Sequence, residues 1–423
     1  MKITVIGGGY VGLVSAACFA ELGHDITIIA IDPVKVQAIN EQQPTIYEIG
    51  LDDLLKRHIG NRLRASISYD SVKSADIIFI CVGTPPNTDG SANLSYIESA
   101  SALIGAARRN VPAYCVVVVK STVPPGTTAN IVCPRVLKSA NKTKEEIGFA
   151  MNPEFLREGR AVADFMHPDR IVIGSMDDRA FHYVAEAYHT VDVPVIHTSL
   201  SAAEMIKYTS NAFLATKISF SNEIGNICKK LHIDVYEVMR GVGLDHRIGP
   251  QFLNAGVGFG GSCFPKDVSS LISLAKTIGE DPLILQAVLE VNKQQPNRLL
   301  TLLRTRIGNL NGKKITVLGL AFKDNTDDIR NSKAIPVIQE LLLNGARVVA
   351  FDPMAAEAMR MLFPTVTYCH SAGDALDGAD ACLVMTEWPE FGKIDKEFDR
   401  MKTRIIIEGR RILSCNGTEG ICW

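Results

Sequence analysis

The sequence predicts an α/β protein with two doubly wound parallel sheets joined by a central helical segment. Three observations carry this. Short apolar, β-branched runs alternate with helical patterns near the start and again near the end. The stretch between them reads as helix after helix. The two α/β regions also open alike, with Lys2-Ile-Thr-Val-Ile-Gly7 echoed by Lys314-Ile-Thr-Val-Leu-Gly319. Runs this short between amphipathic helices are strands of a sheet buried on both faces.

The first domain is expected over residues 1–200, with strands at 3–6, 26–31, 77–82, 115–119 and 171–173. Helices fill a central domain at 201–303, and the alternation resumes in a third domain at 304–423, with strands at 314–320, 347–351, 381–385 and 404–407. A chain of 423 residues is too long for one ordinary core. Its net charge of −2 gives no electrostatic case for nucleic acid or an anionic membrane. Ten cysteines without C-x-x-C pairs suit a reduced cytoplasmic protein, and without zinc-like spacing or H-E-x-x-H no metal is expected. The chain shows neither a signal-peptide pattern nor the run of about 18 apolar residues that a membrane span needs.

Gly7-Gly-Gly9-Tyr10-Val11-Gly12 follows the first strand and opens a helix expected over 13–22. In this G-x-G-x-x-G pattern Gly7 makes the tight turn, Gly9 lets a pyrophosphate approach and Gly12 lets helix pack on strand. The helix N-terminus, with Tyr10 and Val11, then faces the phosphates. The acid expected on the ribose is Asp32, whose plainer role is to start the turn with Pro33. No arginine precedes Arg57 and Lys35 is the only nearby cation, so NAD is expected rather than NADP.

Thr84 in Cys81-Val-Gly-Thr-Pro-Pro86 and Thr122 in Lys120-Ser-Thr-Val-Pro-Pro-Gly126 each follow a strand. Their hydroxyls are expected beside the nicotinamide, ordinary turn chemistry being the alternative. Glu154 and Glu158 lie four apart and share a face if their segment is helical. They are then either a carboxylate pair that prepares a general base or a solvated face paired with Arg157 or Arg160. Lys207 and Asn211, also four apart, are suited to hold an oxyanion, unless Lys207 merely snorkels. Cys263 ends a glycine-rich collar, Gly256-Val-Gly-Phe-Gly260-Gly-Ser-Cys263, and precedes Pro265, Lys266 and Asp267. That places it at a helix N-terminus, where the dipole and Lys266 favour thiolate, while the glycines free N–H groups for a phosphate. A buried structural cysteine is the alternative. In the last domain Lys323 and Arg330 bring cations to a strand's carboxyl end, as a second site for a phosphorylated ligand would.

Eight ordered blocks then make the chain resemble the UDP-glucose/GDP-mannose dehydrogenases along nearly its whole length. They are Gly7 to Gly12, Ile46-Tyr-Glu-Ile-Gly-Leu51, Val82-Gly-Thr-Pro85, Lys120-Ser-Thr-Val123, Asn152 to Glu158, Pro168-Asp-Arg-Ile-Val-Ile-Gly174, Gly256 to Asp267, and Gly319-Leu-Ala-Phe-Lys323. The resemblance implies two Rossmann-like domains and two successive NAD-dependent oxidations at sugar C6. The cysteine block is most similar to that of the members acting on UDP-glucose, so UDP-glucose is the expected substrate, with GDP-mannose as the alternative.

The resemblance further implies that Cys263 carries a thiohemiacetal and then a thioester. Lys207 and Asn211 stabilise the C6 oxyanion, Asp267 supports the first deprotonation through water, and Glu154 is the base for hydrolysis. Thr122 and Glu158 organise water and nicotinamide, and Lys266 and Arg330 contact the cofactor. Phe155, Leu156, Phe252, Gly260, Lys323 and Arg410 match positions that hold the nucleotide sugar. Arg247 matches an arginine that reaches a phosphate across a dimer interface, so a homodimer or higher homo-oligomer is expected. One departure stands out: alignment through Lys35-Val36 puts Ala30, not Asp32, where the family usually carries its ribose-binding acid.

Overall fold

The computed structural model describes residues 1–423, which form two compact units, 1–210 and 211–423. The first unit contains β1 (Lys2–Ile6), β2 (Asp25–Ile29), β3 (Leu63–Ser66), β4 (Ile77–Ile80), β5 (Cys115–Val119), β6 (Ile147–Met151), β7 (Ile171–Ser175) and β8 (Val195–Thr198). They form one sheet in the order β3-β2-β1-β4-β5-β6-β7-β8, parallel except where β7 runs against β6. The inner strands β4, β5 and β6 are buried along their whole length, because helices cover both sheet faces.

The second unit carries β9 (Lys314–Leu318), β10 (Arg347–Phe351), β11 (Thr367–Tyr368), β12 (Ala381–Val384), β13 (Ile406–Glu408) and β14 (Thr418–Gly420), all parallel, in the order β11-β10-β9-β12-β13-β14. Each unit thus contains the doubly wound dinucleotide-fold order, with the topological switch beside its first strand. Between residues 200 and 307 there are four helices, Leu200–Leu231, Val235–Gly243, Phe264–Thr277 and Leu283–Ile307, and no strand.

The echo between the two halves is in register at their first strands. Gly7 N–H donates to Ile29 O at 2.8 Å, and Gly319 N–H donates to Phe351 O at 2.9 Å. This register pairs Ala30 with Asp352. The shared Asp-Pro pairs Asp32-Pro33 and Asp352-Pro353, which look equivalent in the sequence, are therefore two residues out of register.

Candidate active site

The cofactor loop is built by close packing. Gly7 has φ +119°, and a Cβ there would lie 2.6 Å from Cys81 O; a Cβ on Gly12 would lie 1.9 Å from Gly7 O. Neither position admits a side chain, whereas a Cβ on Gly9 would meet nothing within 4 Å. Gly9 is also the N-cap of the helix Tyr10–Glu21 and brings no side chain to cap it, so the first-turn N–H groups face the open position. The residues present fit a dinucleotide pyrophosphate. The helix begins at Tyr10, three residues earlier than expected.

The Tyr10 hydroxyl donates to Glu48, which also accepts from Gly159 N (2.7 Å) and Ala161 N (2.8 Å). Buried Glu48 ties the glycine-rich turn to the loop after Glu158, and burial, reinforced by Glu48, raises the Tyr10 hydroxyl's pKa. Sequence reasoning gave Glu48 no role, since a lone glutamate between Tyr47 and Ile49 carries no signal of its own.

The ribose end of the loop is less conventional. Ala30 is buried against Gly8, where a Cβ would lie 2.7 Å from its own. Asp32 caps the helix Pro33–Asn40, Oδ1 accepting from Val34 N at 2.9 Å, so the turn role foreseen for it is real. Lys35 is exposed in that helix's first turn.

The Thr84 hydroxyl does not point free into a cleft. It donates to the carbonyl of Thr122 at 2.9 Å, while Ser121 donates to Val82 O at 2.6 Å, and together they lock the loops after β4 and β5. Thr122 itself is half-buried. Below them Lys120 is buried, donating to Asn152 Oδ1 (3.0 Å) and Tyr188 OH (3.1 Å) within 6 Å of the Phe79, Phe165 and Tyr188 rings. Desolvation lowers its pKa to about 8.

Residues 152–158 are irregular, not helical, so Glu154 and Glu158 do not stack as a carboxylate pair. Glu154 is buried, accepting from Leu156 N at 2.6 Å and pairing with Lys207 Nζ at 2.9 Å. Lys207 is therefore not a snorkelling lysine. Its ammonium also lies 5.3 Å from the centre of the Phe155 ring, whose face carries Arg170 at 4.1 Å. Arg157 binds Asp164, not the glutamates, and Glu158 is half-buried.

In the second unit Cys263 is the half-buried N-cap of the helix Phe264–Thr277, with Pro265 in the first turn and Ser262 Oγ 3.6 Å from its sulfur. Asp267 is buried beneath it and accepts from Asn211 Nδ2 at 2.6 Å and Lys266 Nζ at 2.5 Å. The Lys266 ammonium is thus paired with Asp267.

Contrary to the expectation from sequence, the collar glycines do not leave all their N–H groups to a ligand. Gly256 N–H donates to Asn222, Val257 to Gly409 O, Phe259 to Asn292 and Gly261 to Arg330 O, at 2.7–2.8 Å. What the glycines supply is close approach. A Cβ on Gly256 would lie 2.4 Å from Gly409 O, and one on Gly260 2.4 Å from Asn331 O. Phe252, at φ +64°, holds the strained left-handed conformation and packs edge-on to Phe264. Lys323 Nζ lies 6.0 Å from the Phe322 ring, and Arg410 donates to Gly258 O. Arg330 forms a bidentate pair with Asp328 at 2.7–2.9 Å, and exposed Arg247 pairs with Asp245 at 2.6 Å.

In the second unit Asp352, the counterpart of Ala30, is buried and accepts from Leu320 N, Ala321 N, Met354 N, Ala355 N and Trp388 Nε1 at 2.6–3.1 Å. A carboxylate thus holds the N–H groups of Leu320 and Ala321, the residues in register with Gly8 and Gly9 of the cofactor turn.

A nucleotide-dependent dehydrogenase is the class that this cradle and these paired polar groups define. Residues 1–192 match the NAD binding domain of the UDP-glucose/GDP-mannose dehydrogenase family, residues 201–294 its central domain and residues 316–415 its UDP binding domain. The chain is 49% identical over 420 residues to the UDP-glucose 6-dehydrogenase AglM of Haloferax volcanii, covering 98% of this chain and 97% of that one. It is 43% identical over 419 residues to TuaD of Bacillus subtilis, also a UDP-glucose 6-dehydrogenase, covering 98% and 90%. The solved UDP-glucose dehydrogenase of Pyrobaculum islandicum superposes with a TM-score of 0.95 at 42% identity, covering 100% and 98%. The chain belongs to the UDP-glucose/GDP-mannose dehydrogenase family and is an NAD-dependent oxidoreductase.

Proposed function

We propose that this chain oxidises UDP-glucose at C6 to UDP-glucuronate, by way of a covalent adduct on Cys263. The observation that carries the reading is the Cys263 thiol at a helix N-cap, at the end of a collar packed onto the UDP binding domain. Two molecules of NAD, held in turn by the glycine-rich loop, would supply the two hydride acceptors, the first leaving as NADH before the second binds. In the first oxidation the C6 alcohol yields its proton to water held by Asp267, and its hydride leaves, giving the aldehyde. The Cys263 thiolate then bonds to C6, with Lys207 and Asn211 donating to the resulting oxyanion. Loss of a second hydride converts this thiohemiacetal to a thioester. Glu154 takes a proton from water, which attacks the thioester, and the C–S bond breaks to return the thiolate and release the carboxylate. Thr122 and Glu158 organise water and nicotinamide, and Lys266 and Arg330 reach the cofactor. Phe155, Leu156, Phe252, Gly260, Lys323 and Arg410 hold the nucleotide sugar.

Offering UDP-glucose and GDP-mannose at equal concentration tests this. Two NADH per UDP-glucose and slower turnover of GDP-mannose are expected; one NADH, or preference for GDP-mannose, would defeat it.

The three segments matched by the family divide the work as NAD-binding, helical and nucleotide-sugar-binding domains. The protein acts as a homodimer or a higher homo-oligomer. Phe213, Phe220 and Ile227 recur every seven residues on the helix Leu200–Leu231 and are 63%, 53% and 50% exposed, an apolar stripe that a second copy would cover, with Arg247 then serving the partner's substrate. Phe213→Lys with Phe220→Lys should convert the species seen in sedimentation velocity to monomer. No helix is long and apolar enough to cross a membrane, and the protein is proposed to work in the cytoplasm.

A further inference from the structure

Lys333 is absent from every motif above. It is the N-cap of the helix Ala334–Leu343, and its side chain is largely withdrawn from water. Its Cε packs 3.2 Å from where a Cβ on Gly258 would sit, and Arg410 donates to the carbonyl of that same Gly258. The two cations therefore meet at one collar glycine. Arg410 Nε lies 3.1 Å from Glu387 Oε2, so the arginine has a carboxylate, although the two are not aligned as a hydrogen bond. Lys333 has none: Arg410 is the one charged group that acts on it. A buried ammonium beside a guanidinium is an unfavourable arrangement unless an anion joins it. The helix N-terminus at Lys333 adds to the preference for negative charge.

We infer that Lys333 is a further binding residue of this protein, an ammonium that contacts the diphosphate of the nucleotide sugar together with Arg410. The inference rests on the proposed use of the second unit for a UDP-sugar. Burial first, and then the Arg410 charge, hold the Lys333 pKa down to about 8. A diphosphate beside it favours the charged form, so binding near pH 8 draws a proton onto Lys333.

The test is calorimetric titration of the full-length protein with UDP and with uridine, in buffers of different ionisation enthalpy. Wild type should take up about half a proton per UDP near pH 8 and bind UDP more weakly as the pH rises further. Lys333→Met should bind UDP about tenfold more weakly at pH 7, lose the uptake, and bind uridine as wild type does. Lys333→Arg, always charged, should keep UDP affinity without uptake. It also keeps the inference testable if the methionine variant fails to fold. UDP affinity in Lys333→Met within twofold of wild type, unchanged uptake in either variant, or uridine weakened as much as UDP would overturn the inference. Failure of wild type to bind UDP at all would instead remove the nucleotide-sugar reading, and this inference with it.

Discussion

Lys207 Nζ and a carboxylate oxygen of Glu154 lie 2.9 Å apart, with both side chains buried. Removing one partner leaves the other charged and unpaired, which costs about 3–5 kcal/mol. Lys207→Met should therefore lower the melting temperature sharply, and adding Glu154→Gln should restore part of the loss. Glu154→Gln alone should slow thioester hydrolysis about a hundredfold or more while leaving aldehyde formation. Mass spectrometry after a single turnover should find the sugar on Cys263. Without such an adduct, Glu154 is not the hydrolytic base.

Cys263→Ser removes the thiolate but keeps the size and the N-cap position. The variant should release one NADH per UDP-glucose and stop at the aldehyde, or complete the second oxidation only as far as a stable oxygen ester on the introduced hydroxyl and then fail to turn over. An unchanged yield of two NADH at near-normal rate would make Cys263 a structural residue.

Asp32 caps a helix two residues past Ala30, the position of the family's usual ribose acid, and two substitutions separate capping from a ribose contact. Asp32→Asn keeps a good cap, whereas Asp32→Ala costs about 1 kcal/mol of stability. If the carboxylate reads the ribose, both variants should narrow the gap between NAD and NADP affinity by the same factor, while only the alanine variant melts earlier. Equal NAD-to-NADP affinity ratios in Asp32→Asn and wild type would remove Asp32 from the cofactor site.

Asp352 satisfies four backbone N–H groups and an indole. Asp352→Ala orphans all five, at about 1–3 kcal/mol for each left without a partner. A loss well above about 3 kcal/mol is expected in denaturant melts; a loss below about 1 kcal/mol would mean that water replaces the carboxylate.

Burial holds Lys120 near pKa 8 in the folded protein against 10.5 when free. The folded pKa is the lower, so the penalty of the buried ammonium is fully present below pH 8. It is relieved as pH rises from 8 towards 10.5, where the unfolded chain holds more protons. Wild type should gain stability relative to Lys120→Met across that window. A difference that stays flat with pH would show that Lys120 does not titrate there.

Much of this was legible in the sequence because it rests on local rules. Glycine spacing after a β-branched strand announced the cofactor turn, and a proline two residues after Cys263 announced the helix it caps. Pairings between distant positions were not legible. Spacing alone made Glu154 and Glu158 partners, whereas Glu154 is held by Lys207, 53 residues further on. The strand Ile147–Met151 escaped notice because it carries Gly148, needed where a Cβ would lie 2.2 Å from the Tyr114 hydroxyl oxygen. The Lys333–Arg410 proximity depends on folding across 77 residues and leaves no local pattern.

A chain that carries the same strand order twice offers a nucleotide two look-alike landing places. The second lacks a helix start behind its first strand: no helix begins between Gly319 and Ala334, and Asp352 holds Leu320 and Ala321 N–H instead. One cofactor address per chain follows, and with it freedom for the duplicate to recognise a different nucleotide through side-chain cations instead of backbone amides. Titration should count a single NAD per polypeptide.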